Sequence, residues 1–172
     1  MLHMKPEAAE RHTRSLVVDN ESGILARIAG LFSSRGYNIE SLTVADISED
    51  LSVSRITIVT SGSPHVMEQI ISQLDRLVPV HKVADLTAEG PHVERELALV
   101  KVAGTGDHRI EAMRLAEIYR ARVLDATTGS FVFELTGSTQ KINTFIDLMR
   151  EVGLVEVART GVVAISRGRE AI

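Results

Sequence analysis

The chain of 172 residues is 44% hydrophobic and 24% charged, so it can bury a core without disulfides or structural metals. Aromatic residues make up only 3% and the formal net charge is −4, which argues against nucleic-acid binding because that needs stacking surfaces and a cationic footprint. Cysteine is absent and no apolar run approaches the roughly 20 residues of a membrane span, so we expect a cytoplasmic protein without a membrane partner.

The first half of the chain predicts a strand, a helix, a β-hairpin, a second helix and a closing strand. Residues 15–18 form an apolar run that stops at the turn-forming stretch 19–23, and apolar residues over 24–32 then recur at the spacing of one helix face. Alternating patterns on either side of the polar turn 48–50 predict the hairpin. A second helical stripe and a short strand over 80–86 complete the unit.

The second half repeats this order, with strand patterns near residues 97–102 and 131–133 and helical stripes over 110–119 and 142–149. In the ferredoxin-like order, two helices cover one face of an antiparallel sheet. We therefore predict an α+β protein with two tandem ferredoxin-like βαββαβ domains. The predicted divisions are a flexible N-terminus (1–11), a first domain (12–87), a linker (88–94), a second domain (95–168) and a tail (169–172).

No catalytic or metal-binding pattern stands out. The six histidines have neither HxxxH nor HExxH spacing, so we expect no metal site and no activity of the chain by itself. Residues 104–107 (GTGD), between a strand and a helix, can hold an anion at unpaired backbone N–H groups. They lack the third glycine of a dinucleotide fingerprint and the GK[ST] ending of a P-loop, so a plain turn is favoured.

The loop between the first strand and the first helix, DNESGIL, has residues suited to a free amino acid. An α-carboxylate can dock at the unpaired N–H groups of the helix start. Asn20 can donate and accept hydrogen bonds, and Gly23 leaves the backbone open to a ligand. Ile24 and Leu25 can offer aliphatic surface. Capping of the helix by Asn20 or Ser22 is an equally good interpretation of this spacing.

Three segments of the chain resemble one known family. Residues 19–45 (DNESGILARIAGLFSSRGYNIESLTVA) are similar to the ACT domain of the regulatory, or small, subunit of acetohydroxyacid synthase, also called acetolactate synthase. HVERELALVKV (92–102) and VEVARTGVVAISRG (155–168) resemble the opening and closing segments of that family's C-terminal domain. The polar residues before His12 depart from the family pattern, and residues 104–109 carry no family signature.

The resemblance implies a subunit without catalytic activity of its own. Such a subunit activates a separate catalytic (large) subunit and makes it sensitive to valine or another branched-chain amino acid. Thiamine diphosphate, Mg²⁺ and FAD are then expected only on the catalytic subunit, and this chain binds no cofactor. The effector is valine by family expectation.

The resemblance also implies a homodimer through the ACT domains, with the effector between two copies. One copy supplies Asn20 and residues 23–25, and the other supplies Asn38 and Ile39 at the start of the second strand. Without the resemblance, Asn38 would be interpreted as a helix-terminating turn residue. The second domain can stabilise the dimer, contact the large subunit or bind another effector. The main alternative function is a free-standing ACT-domain amino-acid sensor that regulates a different partner.

Overall fold

The computed structural model describes residues 9–172, and residues 1–8 of the predicted flexible N-terminus lie outside the described residues. The chain folds as two compact units. The first contains the described residues up to Val93 together with Val163–Ile172, and the second contains Glu94–Val162. The strands and helices follow the βαββαβ order twice, which confirms the predicted fold class.

The first unit is built on a four-stranded antiparallel sheet. Its elements are, in chain order, β1 (Glu10–Asp19), α1 (Ile24–Ser33), β2 (Ile39–Asp46), β3 (Val53–Gly62), α2 (Pro64–Leu74), β4 (Val80–Asp85) and the one-turn α3 (Leu86–Glu89). The strand order is β2-β3-β1-β4, and β2 and β3 form the predicted hairpin. β2 is therefore an edge strand, with β3 as its only neighbour among the described strands.

The core of the first unit lies between this sheet and α1 and α2. Side chains alternate across a strand and recur every three or four residues along a helix, so one face of each element is apolar. The buried cluster consists of Leu16, Val18, Ile24, Ile28, Phe32, Ile56, Ile58, Met67, Ile70 and Leu74. α1 ends near the predicted glycine: Gly36 has φ +70°, and the Tyr37 N–H donates to the Phe32 carbonyl oxygen at 3.0 Å.

β1 also carries polar residues into the interior. Arg14 is fully buried; its Nη1 donates to Thr60 Oγ1 at 2.8 Å, and its Nη2 lies 3.2 Å from Asp85 Oδ2. His12 Nδ1 lies 2.7 Å from the same Asp85 oxygen. Burial lowers the pKa of Arg14, and the neighbouring Asp85 carboxylate opposes that shift. This buried ion pair was not predicted, because His12 and Arg14 precede the apolar run at 15–18.

The second unit has a corresponding sheet and two longer helices. Its elements are β5 (His92–Ala103), α4 (Gly106–Tyr119), β6 (Arg122–Ala126), β7 (Ser130–Gly137), α5 (Thr139–Glu151) and β8 (Leu154–Arg159). The last strand of the chain, β9 (Val163–Ser166), groups with the first unit. The strand order is β6-β7-β5-β8, and β9 also pairs with β5. α4 and α5 cover one face, where Phe133 and Phe145 make an edge-to-face contact with ring centroids 6.3 Å apart.

Two boundaries differ from the sequence-based divisions at the ends of the chain. β1 begins at Glu10, inside the segment 1–11 that was predicted to be flexible. β9, which was assigned to the second domain (95–168), groups with the first unit. Periodicity cannot indicate such a return of the chain, since a four-residue strand carries no information about which unit it joins.

The predicted linker, 88–94, is shorter in the structure because α3 ends at Glu89 and β5 begins at His92. Side-chain bonds to the backbone stabilise this single helical turn. Asp85 Oδ1 accepts from the Ala88 N–H at 3.1 Å, and Glu89 Oε1 accepts from the Asp85 N–H at 2.9 Å. These reciprocal bonds satisfy two backbone donors at the helix start, in the manner of a capping box.

Candidate functional site

Asn20, the first residue after β1, is held by the turn that joins β2 to β3. Its backbone N–H donates to the Ser52 carbonyl oxygen, and its Nδ2 donates to the Leu51 carbonyl oxygen, each at 2.8 Å. Leu51 has φ +56°, an uncommon conformation for a residue other than glycine. Within residues 9–172 no donor reaches Asn20 Oδ1, and the side chain is exposed. The amide oxygen can therefore accept a hydrogen bond from a ligand.

Asp50 orders the same turn. Its Oδ1 accepts from the Ser52 hydroxyl at 2.6 Å and from the Ser52 N–H at 3.1 Å. Hydrogen bonds from the hydroxyls of Ser52 and Ser48 lower the pKa of Asp50 to about 2. The carboxylate is therefore ionised at neutral pH, and it fixes the loop whose carbonyl oxygens hold Asn20.

The first turn of α1 has no side-chain cap. The residue before the helix is Gly23, in the left-handed region with φ +87°, and no side chain hydrogen-bonds to the helix start. This finding excludes the interpretation in which Asn20 or Ser22 caps α1. A Cβ added at Gly23 would meet no atom within 4 Å, so the space beside the helix start is open. The unpaired N–H groups there favour a carboxylate or another anion.

The aliphatic residues of the loop divide between core and surface. Ile24 is only 6% exposed and belongs to the buried cluster, which corrects the expectation that its side chain offers surface to a ligand. The reason is helical spacing: Ile24 and Ile28 are four residues apart and lie on the same buried face. Leu25, at 40% exposure, is the aliphatic side chain at the surface beside the helix start. Ile39 packs partly buried against the same core.

Asn38 and Ile39 lie at the opposite end of the sheet from Asn20. The end of β1 pairs with Val53 of β3, whereas Ile39 pairs with Thr60. These two β3 positions are seven residues apart, which corresponds to about 23 Å at the usual rise of a strand. A single copy of the chain therefore does not bring Asn20 and Asn38 together.

The two family-like segments of the second half meet within the second unit, because β5 pairs with β8. The buried Glu96 of β5 receives two hydrogen bonds from Arg159 of β8, one of them from Nη2 to Oε2 at 2.9 Å. Arg159 Nη1 also donates to Asn143 Oδ1 at 2.8 Å. The bonds to Glu96 raise the pKa of Arg159. A charge-assisted, bidentate contact between Arg159 and Glu96 therefore links the neighbouring strands β8 and β5.

The GTGD loop serves packing in this structure. The Gly104 N–H donates to the Gly129 carbonyl oxygen at 3.0 Å, and a Cβ at Gly104 would lie 3.4 Å from the Val152 carbonyl oxygen. Within residues 9–172 there is no group of three or more His, Asp or Glu side chains arranged to hold a metal ion. In the same range no helix combines the length and apolarity needed to cross a membrane.

The first unit, with its edge strand β2 and its uncapped α1, defines the chain as a protein built on an ACT domain. Residues 15–82 match the family model described as "AHAS small subunit-like ACT domain", and residues 95–168 match the model "Small subunit of acetolactate synthase". The chain belongs to the acetolactate synthase small subunit family, which confirms the resemblance found in the sequence.

Relatives match the chain over nearly its whole length. The "Probable acetolactate synthase small subunit" of Archaeoglobus fulgidus is 47% identical over 93% of this chain and 99% of its own length. The "Acetolactate synthase isozyme 3 small subunit" of Escherichia coli is 48% identical over 92% of this chain and 96% of its own length. The crystal structure of the acetolactate synthase small subunit from Thermotoga maritima is similar, with a TM-score of 0.83, 37% identity, and coverage of 94% of this chain and 99% of that one.

Proposed function

We propose that this chain is the regulatory subunit of an acetolactate synthase. In this proposal it activates a catalytic (large) subunit and makes that subunit subject to feedback inhibition by valine or another branched-chain amino acid. Both domains match family models of the acetolactate synthase small subunit, which supports the catalytic subunit of that enzyme as the partner. The open, uncapped start of α1 beside Asn20 supports the effector and is the observation on which the site assignment rests. Thiamine diphosphate, Mg²⁺ and FAD belong to the catalytic subunit alone.

The effector is held by its charged main-chain groups. Its α-carboxylate docks at the N–H groups of the first turn of α1, beside Gly23, where an added Cβ would meet no atom within 4 Å. Its ammonium group donates to Asn20 Oδ1, the acceptor that the hairpin turn leaves unpaired. Its branched side chain packs against Leu25. A neutral zwitterion with a short aliphatic side chain fits these three contacts better than a charged metabolite.

A dimer through β2 completes the pocket. If β2 pairs antiparallel with β2 of a second copy over its full length, Ile39 of one copy lies opposite Asp46 of the other. Asp46 pairs with Ser54, at the end of the sheet where Asn20 lies. Asn38 of one copy then approaches the Asn20 loop of the other across three strand spacings, about 14 Å. Two amide side chains and a bound amino acid can span that distance.

Inhibition follows from a shift between two states of the dimer. A ligand moves an equilibrium only by the difference between its affinities for the two states. A coupling free energy of about 1–3 kcal/mol produces a five- to 150-fold effect on the partner's behaviour. A ligand held by groups from two copies fixes their relative position, which provides such a difference in affinity.

Reconstitution with the catalytic subunit tests the proposal. The purified chain is added to an isolated acetolactate synthase catalytic subunit, and acetolactate formation is measured with increasing valine, leucine and isoleucine. We expect the chain to raise the activity and valine to remove that increase. An activity that is unchanged by the chain would refute the assignment of the partner. Activation that none of the three amino acids reverses would refute the effector.

A further inference from the structure

The second unit has an edge strand whose exposed residues the proposed function does not use. β6 lies at the end of the sheet and pairs with β7 alone among the described strands. All five of its residues are exposed, including Val123 and Leu124 at 42% and 52%. Edge strands are protected from strand addition by charged residues, proline, a β-bulge or short length. β6 is short and has a bulge, but two large exposed apolar residues occupy its centre in place of lysine or proline, so this apolar surface is available to a partner.

A β-bulge brings the two charged residues of β6 to one face. Arg122 pairs with Glu134 of β7 and Asp125 pairs with Val132, with the shift in register between them. Glu134 and Val132 are two residues apart on β7 and so point to the same side, away from the α4 and α5 layer that receives Phe133. Without the bulge, residues three apart would point to opposite faces. The bulge therefore gives β6 a positive and a negative end on the same face.

We propose that β6 pairs antiparallel with β6 of a second copy of this chain. The sequence Arg-Val-Leu-Asp over 122–125 reads positive, apolar, apolar, negative. Placed against itself around a two-fold axis between Val123 and Leu124, it sets Arg122 opposite Asp125 of the second copy. Val123 then faces Leu124. The pairing forms two cross-strand ion pairs and two apolar pairs, and both members of each ion pair lie on the same face of the joined sheet.

Charge complementarity selects a second copy as the occupant. Arg122 and Asp125 carry opposite charges and lie three residues apart on β6. A two-fold axis midway between them therefore sets each one opposite the other residue of the second copy and forms both ion pairs. Arg122 already lies 3.7 Å from Glu134 of its own chain, so the second copy's Asp125 would join an existing ion pair. Two five-residue strands bury less than the roughly 1,200 Å² of a stable interface, so covalent capture is the suitable test.

Cysteine pairs can trap this arrangement, since the chain contains no cysteine. In the full-length double variant Arg122→Cys, Asp125→Cys, directly opposite positions have Cα atoms about 4.5–5.5 Å apart, which suits a disulfide. Within one copy the two Cα atoms are roughly 10 Å apart along the strand, beyond the roughly 7 Å limit for a disulfide. The variant loses the ion pairs but keeps the apolar pairs of Val123 and Leu124, so mild oxidation should trap a covalent dimer that a reducing agent reverses.

The matched control places cysteines at the same spacing on β8, the strand at the other end of this sheet, as Val155→Cys, Ala158→Cys. Both control positions are exposed. We expect little covalent dimer from this variant under the same oxidation. Absence of a dimer from the β6 variant, or an equal yield from both variants, would overturn the proposal.

A second cysteine variant, Val123→Cys, Leu124→Cys, keeps both charged residues and forms the crosslink at the central positions. Exchanging the charges at residues 122 and 125 in this variant tests the register of the pairing. Arg122→Asp or Asp125→Arg alone places like charges opposite each other and should slow crosslinking roughly three- to thirtyfold. The double exchange restores opposite charges and should return the rate to within about twofold. If Arg122 mattered only for its contact with Glu134, the double exchange would not recover the rate, and that result would contradict the pairing.

Discussion

Replacement of Gly23 by aspartate or by asparagine separates charge from shape at the proposed effector site. Both residues add a side chain of the same size, and both must adopt φ +87°, which Asn and Asp tolerate better than other side chains. A Cβ there meets no atom within 4 Å, so neither change requires the surrounding structure to move. The two variants therefore differ only in the negative charge beside the start of α1.

The size of the effect follows from Coulomb's law. A carboxylate at residue 23 and the α-carboxylate of the effector would compete for the same N–H groups, which would place the two negative charges about 4 Å apart. Two like charges at that distance repel by about 1 kcal/mol in bulk water and about 4 kcal/mol at the effective dielectric of a protein surface. Each 1.4 kcal/mol is a factor of ten, so Gly23→Asp should raise the half-inhibitory valine concentration between about fivefold and several hundredfold.

The assay is inhibition of the reconstituted synthase over a range of valine concentrations. Gly23→Asp should activate the catalytic subunit normally and resist valine, whereas Gly23→Asn should be inhibited at a concentration within a few times that of the unmodified chain. Equal resistance in both variants would mean that bulk, and not charge, disturbs the site. Unchanged inhibition in both would refute docking of the carboxylate at this helix start.

Three further substitutions test the second half of the pocket and the two cores. Asn38→Ala should preserve activation of the catalytic subunit. It should raise the half-inhibitory valine concentration about 10- to 150-fold, because it removes one hydrogen bond to a charged group of the effector. Asp85→Ala leaves the buried Arg14 without its counter-charge and should lower the free energy of unfolding by about 3–5 kcal/mol in urea titration. Gly153→Ala sets a Cβ in steric clash with the Ala103 carbonyl oxygen at φ +109°, so we expect a loss of about 3 kcal/mol or more in the same titration.

Each stability prediction has a matched control in the same unit. Asp75→Ala removes an exposed carboxylate at the end of α2 and should change the free energy of unfolding by less than about 0.5 kcal/mol. Gly129→Ala adds a Cβ with no atom within 4 Å and should be similarly mild. If Asp75→Ala destabilised the protein as much as Asp85→Ala, or Gly129→Ala as much as Gly153→Ala, the contact assigned to Asp85 or to Gly153 would be contradicted. Valine inhibition that is unchanged in Asn38→Ala would remove Asn38 from the pocket.

The fold could be predicted because core burial imposes a period on the sequence. Leu16 and Val18 alternate along β1, and Ile24, Ile28 and Phe32 repeat at four-residue steps along α1, so both elements are evident from local spacing. α3 could not be predicted in this way. Its single turn depends on the carboxylate of Asp85, and turn-forming residues around it indicate a linker equally well.

The site could be predicted only in part, and for a related reason. The loop chemistry around Gly23 is local, so sequence identified the open helix start. The anchoring of Asn20 is not local, because its side chain bonds to Leu51, 31 residues away. Likewise, Arg14 meets Asp85 across 71 residues. Contacts between residues so far apart depend on strand register, which a single sequence does not reveal.

If the proposed pocket is shared between two copies, the separation of Asn20 and Asn38 couples effector binding to dimer formation. If one copy holds only half of the pocket, valine binds the dimer and not the monomer, and a two-fold dimer has two sites. At valine ten times its dissociation constant, each site stabilises the dimer by about 1.4 kcal/mol, so two sites lower the dimer dissociation constant about a hundredfold. Sedimentation of the chain alone, with and without valine, measures this directly. A dimer dissociation constant that valine leaves unchanged would mean that valine does not bind between two copies, and the shared pocket would be wrong.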